Sequence, residues 1–439
     1  MRVLGIGSYC ELGSIYLRLA REGHDVRVHT TEENAQDVLT GLVARVPDWR
    51  AALPWVREAG DDHLVVFEDI GCGATQDELR RDGFRVLGGS EGGDRLEEDR
   101  EYGQRVLRDI GLRTAPTRSF DNFEDATRFI REQPGRYVLK FNGLDLPSEM
   151  SYVGQRSDGG DVLAMLKRHA RTWEEDWDDP PSFILMQHLA GVETGFGAFF
   201  NGSEFVGPVN LDWEHKRFFP GDLGELTGEM GTVVTYRHGE KLFDATLRKV
   251  APILREAKHV GYVNLNTIIN DDGVWPLEFT SRFGYPGFAI LSALLAEPCG
   301  DILSRVAAGS ASSFETHPGY AVGVVLTLPP FPHAEGYEEL SKGKPILISD
   351  DLSDEEREHL HFGEVGLVKG ELVATGILGY TMVVTGRGST IELARKDAYA
   401  RVEKVVIPNV RYRNDIGLKL ADRDYAALAA LDWVPSSLR

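Results

Sequence analysis

The sequence has little cysteine, no long apolar run and a shortage of positive charge. Its three cysteines, Cys10, Cys72 and Cys299, form no C-x-x-C pair. Neither a disulfide framework nor a zinc site is therefore predicted. No segment approaches the ~18 consecutive apolar residues of a membrane helix. The N-terminus, MRVLGIGSYC, lacks the apolar core of a signal peptide. The chain is expected in a reducing cytoplasm.

The charge balance limits the kinds of partner. Lysine and arginine number 48 against 69 aspartate and glutamate, a formal net charge of −21. Nucleic acids and anionic membranes need a basic surface, so neither is expected as a partner. Small-molecule substrates, and at most a second copy of the chain in a homodimer, are the expected partners. With 439 residues, 42% of them hydrophobic, the chain is long enough for two to four globular domains.

The N-terminal segment predicts an open parallel sheet through about residue 110. Residues 2–7, RVLGIG, are typical of a buried strand that runs into a glycine turn, and helical spacing follows at Leu12, Ile15, Tyr16 and Leu19. Because the turn lies beside a helix N-terminus, it suits an anion, although a tight turn for chain packing remains the alternative. Its spacing, G-x-G-x(5)-G, differs from the dinucleotide fingerprint G-x-G-x-x-G, so nicotinamide binding is not favoured.

The stretch PLEFTSRFGYP, residues 276–286, carries the strongest chemical signal. Glu278, Thr280 and Arg282 occupy alternate positions, and alternate residues of a strand share one face. Carboxylate and hydroxyl oxygens suit Mg²⁺, and an arginine suits phosphates bound to that ion. The alternative interpretation is an amphipathic strand with a solvated face.

Other segments predict alternating strands and helices, and then a small C-terminal α+β domain. The acidic stretch 169–181 is predicted to be a solvated linker, and a D-D-G turn joins two strands before residue 280. Single helices are predicted over 94–111, 241–259 and 287–308. The predicted domains are 1–111, 112–315 with a lid lobe at about 134–186, and 316–439.

Three separated segments resemble the ATP-grasp superfamily and, within it, the phosphoribosylamine–glycine ligase family. EHKRFFPGDLGELTGEMG is similar to a family pattern near DHKR-x-x-x-GD-x-G-x-x-TGGMG. LEFTSRFGYP is similar to LEFN-x-RFGDP, and YRNDIG to a family ending RKDIG. The resemblance implies a multi-domain α/β fold: an N-terminal open parallel sheet, a two-lobed ATP-grasp domain and a small α+β domain. It also implies a carboxylate–amine ligase of purine synthesis, with ATP and Mg²⁺ or Mn²⁺ as cofactors and an acyl-phosphate intermediate.

The resemblance also implies roles for individual residues. Those expected to bind the nucleotide are Arg100 and Lys140 at the phosphates, Gln187, His188 and Leu189 at adenine, and Glu193 at the ribose. Those expected to hold the metal are Glu278, Thr280 and Asn266. Those expected at the reacting groups are His215, Lys216 and Arg217, as a cationic cluster, and Arg282. Those expected to bind the amine substrate are Gly7, Ser8, Glu11, Arg413 and Asp415.

The chain departs from the family pattern in its lid and in its amine pocket. The lid reads GLDLPSEMSYVGQ, with Pro147 and Glu149 in place of glycines and a lysine, and Tyr285 replaces the aspartate of RFGDP. SYCELG stands in place of GGREH. Several functions therefore remain open: the purine-synthesis ligase, a relative that joins another acid and amine, a nucleotide-binding protein without turnover, and an oxidoreductase built on the first β–α–β unit.

Overall fold

The computed structural model describes residues 1–9, 11–141, 151–176 and 182–436. It divides into two compact units. We call the larger one the body (Met1–Asp94, Thr194–Leu265 and Phe279–Arg439) and the smaller one the insert (Arg95–Glu193 and Asn266–Glu278). Most of the predicted lid, at 142–150, lies outside the described residues. Within the described ranges, no helix is both long enough and apolar enough to cross a membrane.

The strands are, in chain order, β1 (Arg2–Gly7), β2 (Asp25–Thr30), β3 (Ala44–Arg45), β4 (His63–Phe67), β5 (Val86–Leu87), β6 (Thr117–Phe120), β7 (Tyr137–Phe141), β8 (Tyr152–Val153), β9 (Phe183–Gln187), β10 (Val192–Asn201), β11 (Phe205–Glu214), β12 (Arg217–Phe219), β13 (Leu223–Leu226), β14 (Gly231–Thr235), β15 (Val260–Asn270), β16 (Gly273–Thr280), β17 (Tyr320–Thr327), β18 (Leu347–Ile348), β19 (Leu360–Phe362), β20 (Val365–Val368), β21 (Glu371–Ala374), β22 (Tyr380–Gly388) and β23 (Val405–Val406).

The α-helices are α1 (Gly13–Arg21), α2 (Trp49–Arg57), α3 (Gly73–Arg81), α4 (Glu91–Glu98), α5 (Arg100–Asp109), α6 (Phe123–Glu132), α7 (Gly160–Asp176), α8 (Glu240–Ala245), α9 (Ala251–Glu256), α10 (Gly287–Ser292), α11 (Cys299–Ala307), α12 (Tyr337–Leu340), α13 (Asp354–Arg357), α14 (Ile391–Val402) and α15 (Tyr425–Ala430).

The body begins with a parallel sheet in the order β3-β2-β1-β4-β5, which confirms the predicted N-terminal fold. Its central strand, β1, pairs in parallel with β2 on one side and β4 on the other. The buried side chains Leu12, Ile15, Tyr16 and Leu19 of α1 and its preceding turn join the core beneath this sheet. The helical spacing read from the sequence therefore marks the buried face.

The body also contains a large sheet in which β10, β11, β14, β17, β22 and β19 lie side by side. Each neighbouring pair in this series is antiparallel. The residues of β17 are all buried, because the strand lies between β14 and β22 and is covered by α10 and α14.

The insert is built on a four-stranded sheet in the order β6-β9-β7-β8. All three pairings are antiparallel. An aromatic core fills the space between this sheet and α6 and α7, and the rings of Phe123 and Phe183 stack at 5.2 Å. The insert also includes the end of β15 and most of β16, joined by the predicted turn at Asp271–Gly273.

Three helices predicted as continuous are broken. Asp99 interrupts 94–111, because its side chain accepts a hydrogen bond from the Tyr102 N–H (2.9 Å) and caps α5. The segment 241–259 forms α8, a 3₁₀ turn and α9. The segment 287–308 separates into α10 and α11, with Pro298 immediately before α11.

Two further predictions need correction. Helix α7 continues to Asp176, so the first part of the stretch predicted as a solvated linker is helical. Strand β16 ends at Thr280, so Arg282 lies outside the strand that was expected to carry it. The Ser281 hydroxyl donates to the Gly93 carbonyl at 2.6 Å, which fixes the chain where it leaves the strand.

Candidate active site

Three predicted residues meet in the insert. Oε2 of Glu278 accepts hydrogen bonds from Nη1 of Arg100 at 2.8 Å and from Nζ of Lys140 at 2.9 Å. The three side chains are 29%, 32% and 21% exposed respectively. We call them the charge cluster. They come from β16, α5 and β7, elements far apart in the sequence.

Local structure explains how each member of the charge cluster is presented. The Asp99 cap makes Arg100 the first residue of α5. Side-chain Nε2 of Gln104 donates to the Leu277 carbonyl at 2.6 Å, which ties α5 to β16. On β7, Leu139 and Phe141 point into the insert core, so Lys140 takes the opposite face.

The charge cluster has the chemistry needed at a nucleotide phosphate. Two cations and one carboxylate leave a positive balance for phosphate oxygens. Mg²⁺ commonly takes one or two carboxylates and completes its shell with phosphate oxygens and water, so Glu278 fits a divalent metal. Within the described ranges, no group of three or more His, Cys, Asp or Glu is arranged to hold a metal ion.

The predicted adenine segment is partly committed to the sheet of the insert. The N–H of Gln187 donates to the Pro116 carbonyl and that of His188 to the Arg136 carbonyl, at 2.8 and 2.9 Å. These two donors are therefore already used. Leu189 packs against the small apolar cluster around Ile184.

Glu193 and Asn266 lie on β10 and β15, two of the strands at which the chain passes between the two units. Thr280 ends β16 and is half-buried. Their metal- and ribose-binding roles remain predictions.

In the body, His215 is a buried structural residue. Its Nδ1 lies 3.2 Å from the Gly231 carbonyl, and its Nε2 accepts the Gly417 N–H at 3.1 Å. Burial, and then the charge of Arg413, lower the pKa of His215 to about 4. His215 is therefore neutral, and the prediction that it contributes positive charge is wrong.

The neighbouring cations are paired. Nζ of Lys216 lies 3.0 Å from Glu214, and Nη1 of Arg217 donates to the Gly224 carbonyl at 2.7 Å. Both side chains are half-buried, so each keeps enough access to solvent to exchange its partner for a ligand.

Arg413 and Asp415 form a closed ion pair. Nε and Nη2 of Arg413 donate to the two carboxylate oxygens of Asp415 at 2.8 and 2.7 Å. Nη1 donates to the Arg217 carbonyl and to Asp222. The Arg413 side chain is only 1% exposed. All three guanidinium nitrogens are thus occupied by protein groups, and the substrate-binding role of Arg413 and Asp415 stays a prediction.

The turn after β1 is likewise occupied by the chain's own carboxylates. Ser8 donates its N–H and its hydroxyl to Oδ2 of Asp69, at 2.5 and 2.9 Å. The Leu12 N–H and the Tyr16 hydroxyl donate to Glu68 at 2.9 and 2.6 Å. The amides predicted to suit an external anion are therefore already paired with Asp69 and Glu68.

Gly7 is required by this arrangement, because a Cβ at position 7 would lie 2.6 Å from the carboxyl carbon of Glu68. Burial, and then the charge of Asp69, raise the pKa of Glu68 to about 8.

Glu11 faces a small cavity of about 240 Å³, including space open to solvent, which Tyr9, Tyr285, Glu364 and Tyr380 also line. Burial and the charge of Asp69 raise the pKa of Glu11 to about 7, against an opposing effect of Arg282. Glu364 accepts hydrogen bonds from the N–H groups of residues 377–380. The cavity is therefore acidic and aromatic, and the charge of Arg282 acts on Glu11 at its wall.

Sequence reasoning missed a buried polar network in the middle of the large sheet. Oδ2 of Asp212 accepts from the side-chain amides of Asn264 and Asn210 at 2.7 and 2.9 Å. Burial, and then the charge of Glu214, raise the pKa of Asp212. Its Oδ1 is buried without a hydrogen-bond partner within the described part of the chain. The available signal was the pattern of polar residues at alternate positions of apolar strands, N-x-D and N-x-N.

Comparison with known proteins identifies the same family as these motifs. The model described as "Phosphoribosylglycinamide synthetase, ATP-grasp (A) domain" matches residues 98–288. The model described as "Phosphoribosylglycinamide synthetase, C domain" matches residues 321–419.

Similar proteins cover nearly the whole chain. A phosphoribosylamine–glycine ligase of Ralstonia nicotianae is 24% identical over 95% of this chain and 99% of its own. One from Corynebacterium ammoniagenes is 26% identical over 95% and 97%.

Solved structures agree at the level of the fold. The phosphoribosylamine–glycine ligase of Thermotoga maritima has a TM-score of 0.71 at 24% identity, covering 95% of this chain and 100% of that one. A biotin carboxylase domain of Hydrogenobacter thermophilus, solved with MgADP, has a TM-score of 0.65 at 12% identity, covering 97% and 94%.

Proposed function

Because this chain belongs to the phosphoribosylglycinamide synthetase family of ATP-grasp proteins, we propose that it is an ATP-dependent carboxylate–amine ligase, most like phosphoribosylamine–glycine ligase of purine synthesis. The observation that carries the proposal is the charge cluster, in which Glu278 bridges Arg100 and Lys140. A fold match alone would not specify ligase chemistry, since one fold hosts many functions.

The proposed reaction has two steps. A substrate carboxylate oxygen takes the γ-phosphoryl group of ATP and forms an acyl phosphate with release of ADP. The amine then attacks the acyl carbon, loses a proton and expels phosphate, which leaves an amide. A divalent metal ion, when bound, would neutralise phosphate charge and orient the triphosphate.

The chain's own residues have separate proposed roles in these steps. Lys140 and Arg100 bind phosphate oxygens. Glu278, which pairs with both cations in this structure, would bind the metal instead. Arg282, Lys216 and Arg217 are proposed to stabilise charge on the transferred phosphoryl and acyl groups. Glu193 is proposed at the ribose, and Asn266 and Thr280 as further oxygen ligands.

The decisive experiment supplies ATP, Mg²⁺, glycine and phosphoribosylamine and follows ADP release. We expect turnover that requires both substrates. ADP release with another amine, and none with phosphoribosylamine, would reject the purine assignment while keeping the ligase. Tight ATP binding by calorimetry, without turnover on any amine, would instead indicate a nucleotide-binding protein without ligase activity.

One observation favours a second candidate, a ligase for a different amine. Both segments predicted to hold the amine substrate are closed by internal pairs, at Glu68 and at Arg413. An amine panel that includes unphosphorylated amines separates this candidate from the first.

Three finer proposals accompany the ligase. The metal is Mg²⁺ or Mn²⁺, which metal-dependent ADP release would test. The chain forms a homodimer, which its sedimentation in solution would test. The protein works in the cytoplasm, which cell fractionation would test.

A further inference from the structure

The body contains a second polar cavity, whose lining residues have no proposed role in the ligase. It measures about 630 Å³, including space open to solvent. Ser14, Arg18 and Arg21 of α1 form one wall. Another part of the lining includes His359, which immediately precedes β19, His361 on β19, and Arg387 of β22.

The lining of the cavity holds more cations than anions, although the whole chain is strongly negative. Three arginines line it against two glutamates, Glu355 and Glu358, both of them exposed. Glu22, which offsets part of the charge of Arg18, is not among the lining residues. Nη2 of Arg387 lies 3.2 Å from Glu355, whose side chain is 78% exposed. Such a surface pair is weak, so an anion can replace Glu355 as the partner of Arg387.

Arg18 is held rigidly at the edge of the cavity. Its Nη1 donates to the Ser292 carbonyl at 2.9 Å, and its Nε pairs with Glu22 at 3.1 Å. Its charge is therefore a fixed feature of the wall and does not need to be ordered by a ligand.

The two histidines give the wall both a donor and an acceptor. Nδ1 of His359 and Nε2 of His361 lie 2.8 and 2.9 Å from the same Thr385 hydroxyl oxygen. The hydroxyl has one hydrogen to donate, and the His359 carbonyl, at 3.4 Å, is the poorer acceptor. The hydroxyl thus donates to one ring and accepts from the other.

The second nitrogen of each ring has no hydrogen-bond partner in the described part of the chain. Burial lowers the pKa of each histidine to about 3, with further lowering from Arg401 for His359 and from His359 for His361. Both rings are therefore neutral, so one presents an N–H and the other a bare nitrogen.

Ser14 adds an independent sign that a ligand is missing. Its side chain is only 6% exposed, and it lines the cavity. Its Oγ has no hydrogen-bond partner within the described residues. A buried hydroxyl without a partner is costly, so a bound polar group would satisfy it.

We propose that this cavity binds a small oxyanion that carries its own hydroxyl hydrogen, of which inorganic phosphate in its HPO₄²⁻ form is the simplest example. The arginines supply the charge, and the ring N–H and Ser14 meet phosphate oxygens. The bare ring nitrogen accepts the phosphate hydroxyl. The proposal does not depend on the ligase function.

The test measures phosphate binding to the full chain by equilibrium dialysis, with a non-hydrolysable ATP analogue saturating the nucleotide site. Sulfate is the comparison, because it has the same shape and charge but no hydrogen to donate. We expect one phosphate per chain, with sulfate weaker by about tenfold, since one buried acceptor would lack its donor. We also expect about tenfold weaker phosphate binding in Arg21→Glu/Arg387→Gln.

Arg81→Glu is the matched control. Arg21 and Arg81 are both exposed and both end nine-residue helices, but only Arg21 lines the cavity. Phosphate binding should be unchanged in Arg81→Glu. The proposal is overturned if no saturable phosphate binding is found, if sulfate binds equally well, or if the cavity variant and Arg81→Glu bind phosphate alike.

Discussion

The charge cluster of the insert and the turn after β1 in the body both gather carboxylates and hydrogen-bond donors, yet they differ in how the charges are satisfied. Glu278, Arg100 and Lys140 are 29%, 32% and 21% exposed, and both cations meet the same carboxylate oxygen. In the turn, Glu68 is 3% exposed and accepts from the Leu12 amide and the Tyr16 hydroxyl.

This difference separates groups that can exchange partners from groups that cannot. A half-exposed ion pair is weak, so a metal ion and phosphates can displace it. A buried carboxylate whose donors are fixed by the backbone is lost only with part of the fold. Four variants test this distinction, and the largest effect is expected where the partners can be exchanged.

Glu278→Gln removes the one carboxylate of the charge cluster. We expect metal-dependent ADP release to fall on the order of a thousandfold, because the metal would lose its proposed carboxylate ligand. The urea midpoint should change little. Glu124→Gln, which alters an exposed pair with Arg128 in the same unit, is the control and should keep full turnover. If Glu278→Gln lowered the urea midpoint substantially as well as ADP release, Glu278 would be a structural residue like Glu68, and the contrast between the charge cluster and the turn would be wrong.

Arg413→Met breaks the buried ion pair in the body. We expect a loss of about 3 kcal/mol in the free energy of unfolding, since the half-buried Asp415 would lose both guanidinium donors at once. Urea denaturation measures this loss. A variant that keeps its urea midpoint but raises the KM of an amine would support the substrate role predicted for Arg413.

Lys140→Met removes one cation and keeps most of the length of the side chain. We expect the KM for ATP to rise about tenfold, since one charge-assisted contact to phosphate would be lost, with kcat reduced less. Steady-state kinetics at fixed metal concentration measure both. Lys249→Met, on the exposed surface of the body, should leave the KM for ATP unchanged.

Glu68 should make stability fall as pH rises. Its pKa is raised from 4.5 to about 8 in the folded chain, so the folded state binds more protons than the unfolded state between these values. Its contribution to stability is complete below pH 4.5 and is lost as pH passes 8. Melting temperatures at several pH values should decline less steeply in Glu68→Gln, which mimics the protonated acid. An identical slope in both proteins would show that Glu68 titrates normally.

The parts of the site that the sequence predicted are those fixed by short-range rules. Glu278 and Lys140 were found because strand alternation and neighbouring apolar residues determine the face of each side chain. The closure of the first turn was not predictable, because Glu68 lies 56 residues from Leu12 and reads as an ordinary strand end. Asp212 was missed for a similar reason, since its two amide partners come from separate positions on β11 and β15.

Helix boundaries failed where a single residue competed with a long helical pattern. Asp99 satisfies an N–H of the next turn better than a continuing helix would, and this choice places Arg100 at the start of α5. The fold class was recoverable because it depends on many residues at once, whereas this break depends on one.

In the turn after β1, a substitution at Glu68 and a substitution at Gly7 have different structural consequences. If Glu68 is shortened and the glycine is kept, a gap the size of a carboxylate remains in front of the Leu12 N–H and the Tyr16 hydroxyl. The backbone of the turn could keep its conformation. Enlarging position 7 first would drive the acid out of the turn, since the new Cβ and the carboxyl carbon would be 2.6 Å apart. The order of the two substitutions therefore matters, and only the route through position 68 could reopen this turn to an anion from outside.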